Sequence, residues 1–248
     1  MKSALPEQEK QQSEGPNTGI GTSRLSIERA KLIARSLNAT GIVMAVLLFF
    51  FPVPYGLLML VGMILPLLVL VLVYRGGGLI RLQNTAGGTI PTVLYAFVLP
   101  CLGVCIRSFM DFEILEYSSF WVPFLVISVL LGCLTFFTTS RLEKGARVAS
   151  VAPAVFFLLF YASGVVVHIN CYYDSGEPKI FEREVLSMRI SESKTTMYYV
   201  TLEPWGPVTE RQEFGLDMTL YDQLAVGDEV KIHLQDGRLG IPWYYLTK

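Results

Sequence analysis

The strongest constraint on this chain is a run of 39 residues, Ser36 to Tyr74, that contains no Lys, Arg, Asp, Glu or His. One membrane crossing needs only about 20 residues, so the run is long enough for two. Its middle reads Phe51-Pro52-Val53-Pro54-Tyr55. Two prolines in three positions remove amide donors and fix φ, which predicts a turn and hence a helical hairpin. Leu82–Ile106, Tyr117–Ser140 and Val148–Tyr173 also lack Lys, Arg, Asp and Glu, and each can cross about 30 Å of hydrocarbon at 1.5 Å per residue. Five spans are expected, at 37–52, 56–74, 89–106, 118–139 and 149–170. Composition agrees: 52% of the 248 residues are hydrophobic and 17% charged, against about 25% charged in an ordinary soluble domain. Mean hydropathy is +0.47.

The hydrophilic joints between spans set an orientation, because Lys and Arg accumulate on the cytoplasmic side. Arg24, Arg29, Lys31 and Arg35 precede the first span, Arg75 and Arg81 follow the second, and Arg141, Lys144 and Arg147 follow the fourth. The other joints are the uncharged Pro52–Tyr55 turn and a loop with one base, Arg107, against Asp111, Glu113 and Glu116. With five spans all three basic joints share one side. The N-terminus is then cytoplasmic and residues 174–248 lie outside, in the periplasm or the extracellular space, and the expected location is a bacterial inner membrane. The overall charge of −1 divides accordingly: residues 1–173 hold 12 basic and 8 acidic side chains, and 174–248 hold 8 basic and 13 acidic. No cleavable leader is expected, and the first span is expected to act as its own insertion signal.

Residues 1–23 are too polar to bury a core and are read as a disordered tail. From Ser23 to Leu37 the apolar spacing becomes helical, and Arg24, Arg29, Lys31 and Arg35 are the candidate lipid-facing bases. A topology signal with no bound lipid is the plainer reading of the same four residues.

Few residues in the spans suggest chemistry. No Lys, Arg, Asp or Glu falls mid-span, where a coupled transporter usually keeps one. His168 and Cys171 are a thin pair for a metal, because zinc needs at least three protein ligands. Gly76-Gly77-Gly78 and Gly87-Gly88 match no phosphate-binding pattern and read as flexible joints. Cys105 and Cys171 approach the same outer interface, where a disulfide is conceivable, but four apolar thiols are the default. In the outer loop, Arg107 and Asp111 pair at i, i+4 if the third helix continues that far. Arg107, Asp111, Glu113 and Glu116 are therefore a candidate surface for docking the acidic module or a partner, with a headgroup-anchored helix end as the simpler alternative.

After Tyr173 the periodicity becomes two. Phe181–Ile190, Thr195–Glu203, Val208–Leu216, Glu229–Gln235 and Leu239–Leu246 read as strands, and Met218–Leu224 as a short helix. Asp236-Gly237 suits a two-residue hairpin turn. The fold class expected is a membrane helical bundle of five transmembrane helices (24–173) followed by a small all-β domain (174–248), an SH3-like or OB-like barrel. In this arrangement of spans and strands the chain broadly resembles NfeD-type proteins, and the resemblance transfers no functional residue. Trp205, Trp243 and Tyr244 are candidates for a binding face on the barrel, with burial in its core as the competing reading. An excess of acidic residues outside the cytoplasm argues against nucleic acid.

The function expected is non-enzymatic: an accessory, assembly or toxin-immunity protein whose outer β-domain contacts another protein. The expected partners are membrane lipids and a protein, with self-association as a further option. No cofactor or metal is expected. The alternatives are a transporter or channel subunit, and a membrane enzyme using Asp111, Glu113, Glu116 and His168 at the outer interface.

Overall fold

A computed structural model describes residues 18–82, 90–140, 148–192 and 196–248. Five helices are long and apolar enough to cross a membrane. They are α1 (Thr18–Phe50), α2 (Tyr55–Arg75), α3 (Leu94–Asp111), α4 (Trp121–Ser140) and α5 (Val148–Tyr172). Between α3 and α4 lies a two-residue strand, β1 (Glu113–Ile114). The C-terminal part forms β2 (Lys179–Glu192), β3 (Thr196–Leu202), β4 (Gln212–Leu216), the one-turn helix α6 (Met218–Tyr221), β5 (Glu229–Gln235) and β6 (Trp243–Thr247).

Several helix boundaries differ from expectation: α3 continues to Asp111 past the expected 106, α4 starts at Trp121 past the expected 118, and the starts of α1 and α3 differ most. Thr18–Ser23, assigned by sequence to the tail, opens a continuous 33-residue α1, so the basic segment and the first span form one helix. The rest of the expected tail, residues 1–17, lies outside the described residues, as do Gly87-Gly88, Arg141, Lys144 and Arg147. The third helix starts at Leu94 instead of 89, because the preceding chain is extended: the Val93 amide donates to the Arg81 carbonyl and the Arg81 amide to that of Pro91.

Helices pack where a side chain is missing. A methyl group at Gly41 of α1 would lie 2.6 Å from the Ala96 Cα of α3, and one at Gly164 of α5 would lie 2.5 Å from the Cys105 Cα of α3. Glycine therefore lets α1 and α5 approach the backbone of α3, as small residues do between membrane helices. Leu48 of α1 is fully buried and faces both Gly62 of α2 and Gly103 of α3. Polar groups fasten the helices further. Asn38 of α1 donates to the Thr92 carbonyl at 2.8 Å and accepts from the Ala96 amide at 3.1 Å, capping the start of α3 from another helix. The Tyr161 hydroxyl of α5 donates to the Met63 carbonyl of α2, one turn before Pro66, where proline disturbs the backbone ladder.

The strands form one curled antiparallel sheet in the order β1-β6-β5-β2-β3-β4. The long strand β2 causes the curl. Its first half, Lys179–Glu184, pairs with β5, its second half pairs with β3, and the register breaks between Val185 and Ser187. A bulge at such a point bends and twists the strand. The sheet is a half-barrel, open between β1 and β4, and its core holds Val185, Val200, Leu202, Trp205, Phe214, Val230 and Ile232.

Candidate functional site

The candidate site lies around the joint between bundle and half-barrel. It begins with Asn170 in the last turn of α5 and Asp174 two residues past its end. Asn170 is fully buried. Its side-chain amide donates to the Ile241 carbonyl at 2.8 Å, its side-chain oxygen accepts from the Leu239 amide at 3.0 Å, and its backbone carbonyl accepts from Arg238 at 2.9 Å. Asp174 accepts from the Gly237 amide at 2.9 Å and the Trp243 indole at 3.1 Å on one oxygen, and from the Gly176 amide at 3.0 Å on the other. The β5–β6 connection thus folds back onto α5. It spans 236–242, not the expected two-residue turn, and Gly237 and Gly240 take φ of +79° and +73°, which glycine adopts without strain. Burial alone would raise the Asp174 carboxyl. The Gly176, Trp243 and Gly237 donors, with the charge of Arg238, outweigh it and hold the group below the usual aspartate range.

The loop after α3 supplies the second fastening. Glu113 pairs with Tyr244 and Ile114 with Trp243, which makes β1 the edge strand beside β6. The Leu115 amide donates to the Pro242 carbonyl at 2.9 Å, and the Leu115 side chain packs on the half-barrel core. Between the two fastenings, Phe120, Val166, Val167, Cys171, Ile241 and Trp243 form a small core of their own.

The expected site residues separate here. Arg107 and Asp111 pair through two hydrogen bonds, one from Nε to Oδ2 at 2.7 Å, on the last turns of α3. Glu113 belongs to the β1–β6 ladder, and partial burial pushes its carboxyl up. Glu116 is exposed and lines an open groove of about 430 Å³ with 207–212. Trp205 is 1% exposed inside the half-barrel and Trp243 is 8% exposed in the joint, so neither offers a free stacking face. Tyr244 is half-buried against Trp205 and Phe214. Of the basic residues in α1, Lys31 pairs with Glu28 at 2.8 Å, Arg29 lines a groove at the α1–α2 end, and Arg35 is exposed. Arg24 lies on α1, in its first turns.

His168 is fully buried and stacked on Tyr172 at 4.8 Å between ring centres, with Tyr55, Phe112 and Tyr173 around it. Neither ring nitrogen has a hydrogen-bond partner. Among the described residues no group of three His, Cys, Asp or Glu is placed to hold a metal ion. Cys105 and Cys171 are both free thiols, and Cys105 lies 3.5 Å from the Ser163 hydroxyl.

Sequence reasoning missed Asn170, Asp174 and Asn38. Asn170 is the only carboxamide in the last apolar run and stands four residues before Asp174, the first acid after that run. No family model, no curated protein and no solved structure matches the chain.

Proposed function

We propose that this is a multi-pass inner-membrane protein of non-enzymatic type, which holds a β half-barrel on the membrane face away from the cytoplasm for contact with another protein. One observation carries the reading: the half-barrel is clamped to the bundle by Asn170, Asp174 and the β1–β6 ladder. A module fixed in this way presents the same surface in every copy, and binding to it incurs little ordering cost. The surface includes the β4 edge, where Gln212, Glu213 and Gly215 are exposed. A sheet edge offers backbone donors and acceptors to an added strand. The bulged β2 shared by both halves of the sheet supports a small-barrel architecture of SH3-like or OB-like kind, left open between β1 and β4.

Orientation rests on the basic residues. Arg29 and Arg35 lie towards the start of α1 and Arg75 in the last turn of α2, so they share one end of the bundle, while α3 and α5 meet the half-barrel at the other. That separation supports a cytoplasmic N-terminus and an outward half-barrel.

The test is photo-crosslinking in intact cells with a reactive residue at Gly215, and a lipid-side control at Leu130, which is 64% exposed on α4. One defined protein adduct is expected at Gly215 and none at Leu130. Absence of a protein adduct at Gly215 and at other exposed half-barrel positions contradicts the reading.

A further inference from the structure

We infer that the groove between the N-terminal half of α1 and the end of α2 binds one anionic phospholipid, with the phosphate at Arg29 and an acyl chain along Ile33, Leu79 and Ile80. This rests only on the helices crossing a membrane, not on what the half-barrel contacts. The groove encloses about 430 Å³ and is lined by Ser26, Arg29, Ala30, Ile33, Gly76, Leu79 and Ile80. Its α1 wall follows from helix periodicity, since positions 26, 29, 30 and 33 repeat at three and four residues and share one face. The α2 wall is short of side chains. Gly76, Gly77 and Gly78 turn the chain there, and a methyl at Gly77 or Gly78 would meet nothing within 4 Å.

Depth places this groove at headgroup level. Arg29 stands 21 residues before Phe50, or about 32 Å along the helix, and Arg75 stands 20 residues after Tyr55, or about 30 Å. Both distances match one hydrocarbon thickness measured from the shared 51–54 turn. Both side chains are exposed, and among the described residues neither forms an ion pair. Glu28, the acid nearest in sequence, is held by Lys31 at 2.8 Å. An unpaired guanidinium at the mouth of an apolar cleft complements a phosphate ester attached to a hydrocarbon chain, and a planar guanidinium can bind two phosphate oxygens at once. The hydrocarbon covers Ile33, which is 46% exposed, and Leu79, which is 43% exposed.

The test uses the full chain, purified in detergent and titrated with phosphatidylglycerol or phosphatidylcholine under native mass spectrometry, with flotation in vesicles of each lipid as a membrane control. One tightly held phosphatidylglycerol is expected, with phosphatidylcholine weaker. Arg29→Gln should weaken phosphatidylglycerol about five-fold, the effect of one base near an anionic surface. Arg29→Lys should largely retain it, and Ile33→Trp, which fills the cleft, should displace it. Inorganic phosphate at millimolar concentration should not compete, because it lacks the chain. Unchanged melting temperature in each variant keeps the comparison about binding. Equal binding of both lipids, or of wild type and Arg29→Gln, overturns the inference. Failure to float in either vesicle overturns the membrane reading itself.

Discussion

Asn170 and Asn38 turn a carboxamide toward the backbone of another segment, one at the half-barrel end of the bundle and the other at the start of α3. In an apolar setting such a group is costly unless paired, and here the partners are backbone groups that would otherwise be orphaned. The amides of 237–241 report on the joint directly. Asp174 has a lowered native pKa, so its contribution is present above the unfolded value of about 3.9 and lost as pH falls below it. Hydrogen-exchange protection at Gly237 should therefore be steady at neutral pH and fall in acid beneath about pH 3.9. Asp174→Asn should remove that pH dependence. Asn170→Ala should lower the opening free energy of the loop by about 1–3 kcal/mol at every pH, the cost of leaving buried backbone groups unpaired. Equal protection in wild type and both variants contradicts the clamp. Neither residue stands out in the sequence, because a lone amide near the end of an apolar run looks like a helix boundary until its distant partners are known.

Individual elements were legible to different degrees, and the differences have physical causes. The five apolar helices follow from runs without charge, and β5 matches its expected range, Glu229–Gln235, because alternating Val230, Ile232 and Leu234 face one core. The strand β1 has no signal of its own: two residues cannot show a period, and their partners, Tyr244 and Trp243, lie far along the chain in β6. β6 starts at Trp243 and not at the expected Leu239 for a related reason. Leu239–Pro242 belongs to the loop held by Asn170, and only that long-range contact keeps it out of the ladder. Helix packing adds a test of its own. A leucine at Gly164 would push α5 away from the backbone of α3, whereas one at Gly132 of α4 would meet nothing within 4 Å. Gly164→Leu should destabilise the bundle by about 1–3 kcal/mol in detergent, the usual range for overpacking, and Gly132→Leu should be near neutral. Denaturant unfolding followed by tryptophan fluorescence reads both, and equal effects would contradict the packing described.

For the whole molecule, charge and architecture tell one story. Arg29, Arg35 and Arg75 gather at the end where α1 begins and α2 finishes, and 13 of the 21 acidic residues fall in 174–248, whose half-barrel is clamped at the opposite end. The candidate surface was only partly legible. The loop at Glu113 does meet the acidic module, through backbone pairing, while Trp205 and Trp243 fill cores and leave the exposed β4 edge as the contact surface we propose. The central claim, that the half-barrel and the N-terminus lie on opposite sides of one membrane, is tested most directly by cysteine labelling in intact cells. Cys133→Ala removes the one exposed native thiol, since Cys101, Cys105 and Cys171 are buried. In that background a cysteine at Ser187, exposed on β2, should react with an impermeant maleimide from outside. A cysteine at Ser13 should react only after the cells are opened. Labelling of both from outside, or of Ser13 alone, would contradict the account.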